Sequence, residues 1–173
     1  MQHSGTNLEY TDSQTGKKIL AHIWEISAGV DRTMFAILDN SLKQGKEGLY
    51  LSLHAKIAPY QVAIFPLVNK DGIDNLAREI ELSLKNFWFD IVYDGSGSIG
   101  RRYARNDEIG VPFDITVDYD SLKNKDVTLR RRDDGEQIRV KVSELKDILR
   151  KLINGELEFE KAGNKVNTRV KEE

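Results

Sequence analysis

The segment richest in chemistry is a glycine–serine loop followed by arginines. Residues 95–100 read Gly-Ser-Gly-Ser-Ile-Gly, and Arg101, Arg102 and Arg105 follow with no acid between Gly95 and Asn106. The loop stands after an expected strand and before an expected helix. In open α/β sheets that is where ligands bind, beyond the carboxyl ends of the strands. Backbone N–H groups at a helix start, with guanidiniums beside them, suit a phosphate or a base edge. A flexible turn leading into a solvated basic helix face fits the same pattern. Two nucleotide motifs are excluded. The third glycine is misplaced for a dinucleotide fingerprint, and no Gly-Lys-Ser/Thr follows as a Walker loop requires, so nucleotide hydrolysis by this segment is not expected.

A second group is Glu25, Ser27 and Arg32, at the expected end of a strand, a glycine and the start of a helix. An arginine in the first turn opposes the helix dipole and needs an anion, either the adjacent Asp31 or a bound phosphate gripped through two hydrogen bonds. Arg130, Arg131 and Arg132 fall in a strand, so alternation sends the middle one opposite to its neighbours; a solvated strand face is the simpler reading. His3, His22 and His54 form no HxxxH or HExxH pair, so no metal is expected. Asp133-Asp134 reads as a turn, not an acid–base pair. Trp24 and Trp88 sit in apolar runs and are expected in the core.

The elements that must position these groups follow from periodicity. Residues 8–10 and 18–25 form a hairpin around a polar turn at 11–17, with the run 19–24 as a buried strand. Residues 30–42 have helical spacing. Residues 43–47 are the best linker, and 49–53 alternate as a short strand. Residues 61–68 are a strand buried on both faces. Asp71 caps a helix with Ile73, Leu76, Ala77, Ile80 and Leu84 as its stripe. Residues 89–93 and 113–117 are strands, with an arginine helix over 99–108 between them. Residues 127–131 and 137–142 form a hairpin about Asp133-Asp134-Gly135. Ser143 caps a last helix that Asn154-Gly155 stops. The order β-α-β-α-β-β-β-α predicts an α/β domain with a mixed five-stranded sheet and three helices. Residues 1–54 look like a piece of another domain, 55–155 like a self-sufficient one, and 156–173 like a frayed polar tail.

Composition sets outer bounds. The chain has 173 residues, 39% hydrophobic and 31% charged, with 26 Lys+Arg against 28 Asp+Glu. That is a globular composition of one domain, or one domain plus a fragment of another, with no overall sign of a polyanionic partner. No cysteine is present, which removes disulfides, thiol nucleophiles and thiolate metal sites. No apolar stretch approaches a membrane span, and the first residues do not read as a signal peptide. A cytoplasmic protein with no membrane partner is expected.

Residues 94–113, Asp-Gly-Ser-Gly-Ser-Ile-Gly-Arg-Arg-Tyr-Ala-Arg-Asn-Asp-Glu-Ile-Gly-Val-Pro-Phe, closely resemble the signature of the C-terminal anticodon-binding domain of glycyl-tRNA synthetases. Residues 58–63, 116–120 and 127–133 also resemble strands of that family. Residues 25–38, beginning Glu-Ile-Ser-Ala-Gly-Val-Asp-Arg, resemble motif 3 of class II synthetases in its glycyl form, with Ile26 where the family usually has proline. The resemblance covers roughly residues 8–153.

It implies the class IIa anticodon-binding fold, preceded by a hairpin and helix remnant of the antiparallel catalytic domain. It implies ligase chemistry on glycine, ATP and tRNA. Arg32 would hold the ATP phosphates, and Glu25 and Ser27 would receive glycine, with Mg²⁺ present in the complete enzyme. Arg101, Arg102, Arg105, Phe113 and Arg130 would meet the anticodon of tRNA(Gly), where splayed bases are stacked and read on their edges. No cofactor is expected on the anticodon domain. Partners implied are tRNA(Gly), the remainder of the catalytic domain, and a second copy in a homodimer. Nothing before Glu25 resembles motifs 1 and 2, so this stretch alone is not expected to activate glycine. A stand-alone tRNA-binding accessory protein of the same fold is the alternative. A domain for a small phosphorylated ligand is a third, supported only by the loop.

Overall fold

A polar turn starts the chain's regular structure. Asp12 Oδ1 accepts from the Gln14 N–H at 2.8 Å and Asp12 Oδ2 from the Thr15 hydroxyl at 2.8 Å. This brings β1 (Glu9–Thr11) and β2 (Lys18–Leu20) together as an antiparallel pair. The chain, seen here in a computed structural model that describes residues 5–45 and 48–166, divides into two compact units, Met1–Met34 and Phe35–Glu173.

The first unit departs from expectation. β2 ends at Leu20, not Glu25, and the run taken for a buried strand is open: Ile23 is 87% and Trp24 85% exposed. A two-stranded ribbon buries a face only if another layer covers it. Trp24 is therefore not a core residue. Helix α1 (Val30–Ser41) forms as its periodicity predicts, yet none of its residues is buried.

In the second unit, β3 (Leu42–Gln44) and β4 (Leu49–Leu51) pair antiparallel, so the expected linker begins as a strand. Lys46 and Glu47 of that linker lie outside the described residues. The main sheet uses β5 (Val62–Pro66), β6 (Ile91–Tyr93), β7 (Phe113–Val117), β8 (Asp126–Arg131), β9 (Gln137–Lys141) and β10 (Asn164–Lys165), in the order β10-β9-β8-β7-β5-β6. β6, β5 and β7 run parallel and the rest antiparallel. Connections are α2 (Ile73–Lys85), α3 (Ile99–Glu108), α4 (Tyr119–Asn124) and α5 (Leu145–Asn154). The domain is thus α/β with a mixed sheet, as its element order implies.

Four details correct the sequence reading. A sixth strand is present, because Phe159 and Ala162 bury themselves and carry residues 164–165 onto β9; residues 167–173 lie outside the described part. Asp71 does not cap α2: Gly72 holds that position at φ 83°, and the Asp71 carboxylate accepts from the Tyr119 hydroxyl at 2.9 Å. Ser143 does not cap α5, since a tight turn through Glu144 runs straight from β9 into the helix. Gly155 ends α5 at φ 74° as expected. Helix α4 was not foreseen, although Asp118 and Ser121 form a reciprocal capping box.

The sheet has unlike faces. One carries Val62, Ile64, Ile115, Leu129 and Ile138 against the buried stripes of α2 and α5. The other holds only a small apolar patch, Ala63, Phe65 and Val111, under Ile99 and Tyr103 of α3. Alternation places Asp114, Thr116, Thr128, Arg130 and Arg139 on that second face. A polar sheet surface therefore flanks the arginine helix.

Candidate nucleic-acid interface

The loop at residues 94–98 is closed by the arginines that follow it. Arg102 is 5% exposed and turns inward. It donates to the Pro66 carbonyl at 2.5 Å, to the Gly97 carbonyl at 3.1 and 2.7 Å, and to the Gly95 carbonyl at 3.2 Å. No carboxylate pairs with it among the described residues, so carbonyl dipoles alone offset the desolvation of its charge. Arg105 donates to Asp94 Oδ2 at 2.5 Å and to the Ser96 carbonyl at 2.7 Å, with half its side chain still in solvent. Asp94 Oδ1 accepts from the Ser96 N–H, and Asn69 donates to the Gly95 carbonyl at 3.0 Å. A Cβ at Gly95 would stand 2.9 Å from Asn69 Oδ1, so the Asn69 side chain would have to shift to admit one. The Gly-Ser segment is held, not loose.

Arg101 is exposed and makes no hydrogen bond or ion pair among the described residues. Its guanidinium is free for an anion or a base. Arg105 shares that outer face one turn on. Adjacent arginines in sequence thus take opposite tasks, one building the loop and one presented to solvent.

Arg130 is also inward. Its Nη1 and Nη2 grip both oxygens of Asp107 at 2.9 and 2.8 Å, and Nη1 reaches Asp114 Oδ2 at 2.7 Å. The guanidinium lies 4.5 Å from the Tyr103 ring centroid, and the Tyr103 hydroxyl bonds Thr116 Oγ1 at 2.7 Å. Burial pushes the Tyr103 hydroxyl up. Burial also lifts the Asp114 carboxyl to about 7; Arg130 opposes that shift and Asp107 adds to it. Asp114 Oδ1 has no hydrogen-bond partner among the described residues.

Arg131 points to the other face, as alternation requires. It pairs with Asp134, Glu136 and Glu160 and lies 4.7 Å from the Phe159 centroid. Arg132 is buried again, donating to the Gly110 carbonyl at 2.8 Å, the Leu53 carbonyl at 3.1 Å and Asp133. The solvated strand face expected for this triplet is not found; each arginine is paired. Phe113 is 7% exposed and stacks on Phe159 in the apolar face, 6.4 Å between centroids. The structure therefore brings Arg101 and Arg105 to one surface, places Arg102 and Arg130 beneath it, and sends Phe113 to the opposite side of the sheet.

Two hollows border α3. One of about 520 Å³ is lined by Gln44, Tyr50, Asp107, Glu108, Arg130 and Arg132. The other, about 640 Å³, lies over the polar sheet face, among Tyr103, Thr116, Asp118, Thr128, Gln137 and Arg139. In it Arg139 donates to Asp118 Oδ2 at 2.6 Å and Thr128 Oγ1 at 3.0 Å, and also to Asp126. Sequence reasoning missed Tyr103, Thr128, Gln137 and Arg139; for the last three the available signal was the polar half of strands β8 and β9, while Tyr103 lies on α3.

Residues 61–152 match the anticodon binding domain family. The chain belongs to that family. Its anticodon-binding domain shares a fold with the prolyl-tRNA synthetase of Cryptosporidium parvum solved with halofuginone and AMPPNP (TM-score 0.57, 26% identity, 61% of this chain and 23% of that one). The chain is similar to glycine–tRNA ligases. It is 46% identical over 135 residues to that of Methanocaldococcus jannaschii, covering 78% of this chain and 23% of the relative. It is 42% identical over 147 residues to that of Borrelia hermsii, covering 82% and 33%. The matched part of the chain spans 23% and 33% of the length of these two relatives. Glu25, Ser27 and Arg32, outside the anticodon-binding domain, are exposed in the first unit, and no hydrogen bond or ion pair links them to each other or Arg32 to Asp31. His22 and His54 are exposed, and His3 lies outside the described residues. No helix among the described residues is long and apolar enough to cross a membrane.

Proposed function

We propose that this chain is the C-terminal portion of a glycine–tRNA ligase and that its anticodon-binding domain, residues 55–155, holds the anticodon region of tRNA(Gly). The observation that carries the reading is the similarity to glycine–tRNA ligases over about four fifths of the chain; the resemblance of residues 25–38 to motif 3 supports it by adding Glu25, Ser27 and Arg32. A binding module alone has no use for that second group, which disfavours the accessory-protein alternative. Arg101 and Arg105 are the residues proposed to touch RNA. Arg102 and Arg130 act through them, by fixing the loop and the helix. Phe113 supports the sheet from its other face.

Residues 1–54 are proposed as the C-terminal part of the catalytic domain. Arg32 would bind the ATP phosphates with Mg²⁺ nearby, and the Glu25 carboxylate would pair with the ammonium of glycine, with Ser27 beside it. All three stand in solvent without partners among the described residues, so their donors and acceptors are available. The exposed Ile23, Trp24 and Ile26 match a surface that the remainder of that domain would cover. A cytoplasmic homodimeric enzyme follows from the same reading.

Binding of the chain to anticodon stem-loops tests it. A glycine-anticodon stem-loop is expected to bind more tightly than others, with a salt dependence set by phosphate contacts. Equal affinity for every anticodon would remove the glycine-specific reading. Absence of binding by a folded chain would remove the RNA reading altogether.

A further inference from the structure

Trp88 is the most exposed large apolar residue in the domain, 93% accessible. It stands at the end of α2, where its N–H donates to the Lys85 carbonyl at 3.1 Å and its backbone adopts φ 66°. That left-handed conformation suits glycine or asparagine and disfavours a bulky side chain. An indole held there, pointing into water, serves neither the helix end nor the core. Phe87 beside it is 50% exposed, while Phe89 packs inward and anchors the pair.

The surroundings are cationic. Lys146 Nζ lies 4.1 Å from the Phe87 ring centroid, and Arg150 lines the same groove of about 270 Å³ with Gln61, Ile153 and Asn154. Lys151 is exposed on the same helix as Lys146 and Arg150, and Lys85 at the end of α2 is exposed but paired with Glu81 at 2.8 Å. The acid in the groove, Asp147, is partnered by Arg150 at 3.8 Å. The groove lining offers little aliphatic surface, since Ile153, its one aliphatic residue, is 9% exposed. Flat exposed aromatics bracketed by cations match unstacked bases on a phosphate backbone, whereas a protein partner would call for more aliphatic area.

We propose that Trp88 and Phe87, with Lys146 and Arg150, form a stacking platform for single-stranded RNA. Trp88 precedes β6 and the arginine loop follows it, so the platform lies at the opposite end of that strand from Arg101. The platform does not depend on anticodon recognition. Sequence tolerance is expected, since every base offers a π-face.

The test uses the full chain carrying Trp24→Phe, so that emission reports Trp88 alone, with a short oligouridylate as probe. Saturable quenching is expected, weakening as salt rises. Trp88→Ala is expected to lower affinity about tenfold by anisotropy of labelled oligouridylate. Lys146→Glu with Arg150→Glu should lower it comparably at unchanged circular dichroism. Unquenched Trp88 at saturating RNA, or full affinity in Trp88→Ala, overturns the proposal. Emission that instead shifts with protein concentration without RNA, together with a dimer lost in Trp88→Ala, assigns the surface to a second copy and overturns it equally. Arg101→Ala should leave the Trp88 signal intact, so a chain that fails on anticodon stem-loops but still quenches separates the two readings.

Discussion

Arg130 and Asp114 face each other across β8 and β7, with Nη1 2.7 Å from Oδ2 of a carboxylate that is fully buried. The same guanidinium holds both oxygens of Asp107 near the C-terminal end of α3. One arginine therefore serves two carboxylates and ties the arginine helix to the sheet. Because it is shared, it cannot fully neutralise the buried one.

A pH dependence follows. The Asp114 carboxyl is raised from 3.8 to about 7, chiefly by burial. Between those values the folded chain keeps a proton that the unfolded chain has lost, so stability from this group falls as pH rises from 4 to 7 and is flat above. Asp114→Asn imitates the protonated form. The stability of wild type relative to Asp114→Asn is expected to drop by roughly 1 kcal/mol per pH unit across that window. Urea unfolding at several pH values checks it; parallel profiles would refute it. Glu81, Asp118 and Asp134, whose carboxyls are lowered, act with opposite sign at more acidic pH.

Neighbouring arginines should separate binding from stability. Arg101→Ala is expected to leave the unfolding midpoint in place, weaken stem-loop binding about fivefold or more, and reduce the salt slope by about one. Arg102→Ala strips its bonds from the Pro66, Gly95 and Gly97 carbonyls and should cost about 3 kcal/mol of stability. Thermal unfolding beside salt-titrated binding distinguishes them. Equal behaviour of the two variants would be incompatible with the inward placement of Arg102.

The segment after α5 should matter to the whole domain. Phe159 is 3% exposed against Phe113, so Phe159→Ala is expected to cost about 3–4 kcal/mol. Gly163→Ala would drive a Cβ into the Arg139 carbonyl and detach β10 from β9. Loss of hydrogen-exchange protection in β9 reports the second; unchanged protection would show that the last strand adds nothing.

Trp88 offers the reverse. Trp88→Gly relieves the left-handed strain at φ 66° and removes a side chain that buries little. A stabilisation of about 0.5–1 kcal/mol is expected, after the entropy glycine adds to the unfolded chain. Calorimetry checks it, and a destabilised variant would mean the indole contributes to the fold.

Much of the architecture was legible because it follows from local pattern. An unbroken apolar run marks β5, apolar alternation through Phe113, Ile115 and Val117 marks β7, helical stripes mark α2 and α5, and Asp133-Asp134-Gly135 marks the β8–β9 turn. The capping residues at Asp71 and Ser143 were misread because backbone turns satisfied those helix starts in their place. The last strand was missed because one buried Phe159 in a polar stretch carries no periodicity.

By itself, the sequence determined the element order, the family signature in residues 94–113 and the opposite pointing of Arg131 between its neighbours. Only the tertiary structure decided which arginines are free. Arg101 and Arg102 are identical in composition and adjacent in the chain, and a helix turns them about 100° apart. That rotation sends one to solvent and the other under the loop, where carbonyls from β5 and residues 95–97 converge. Which of two like charges meets a ligand is fixed by what packs behind each, and that is not a local property of the chain.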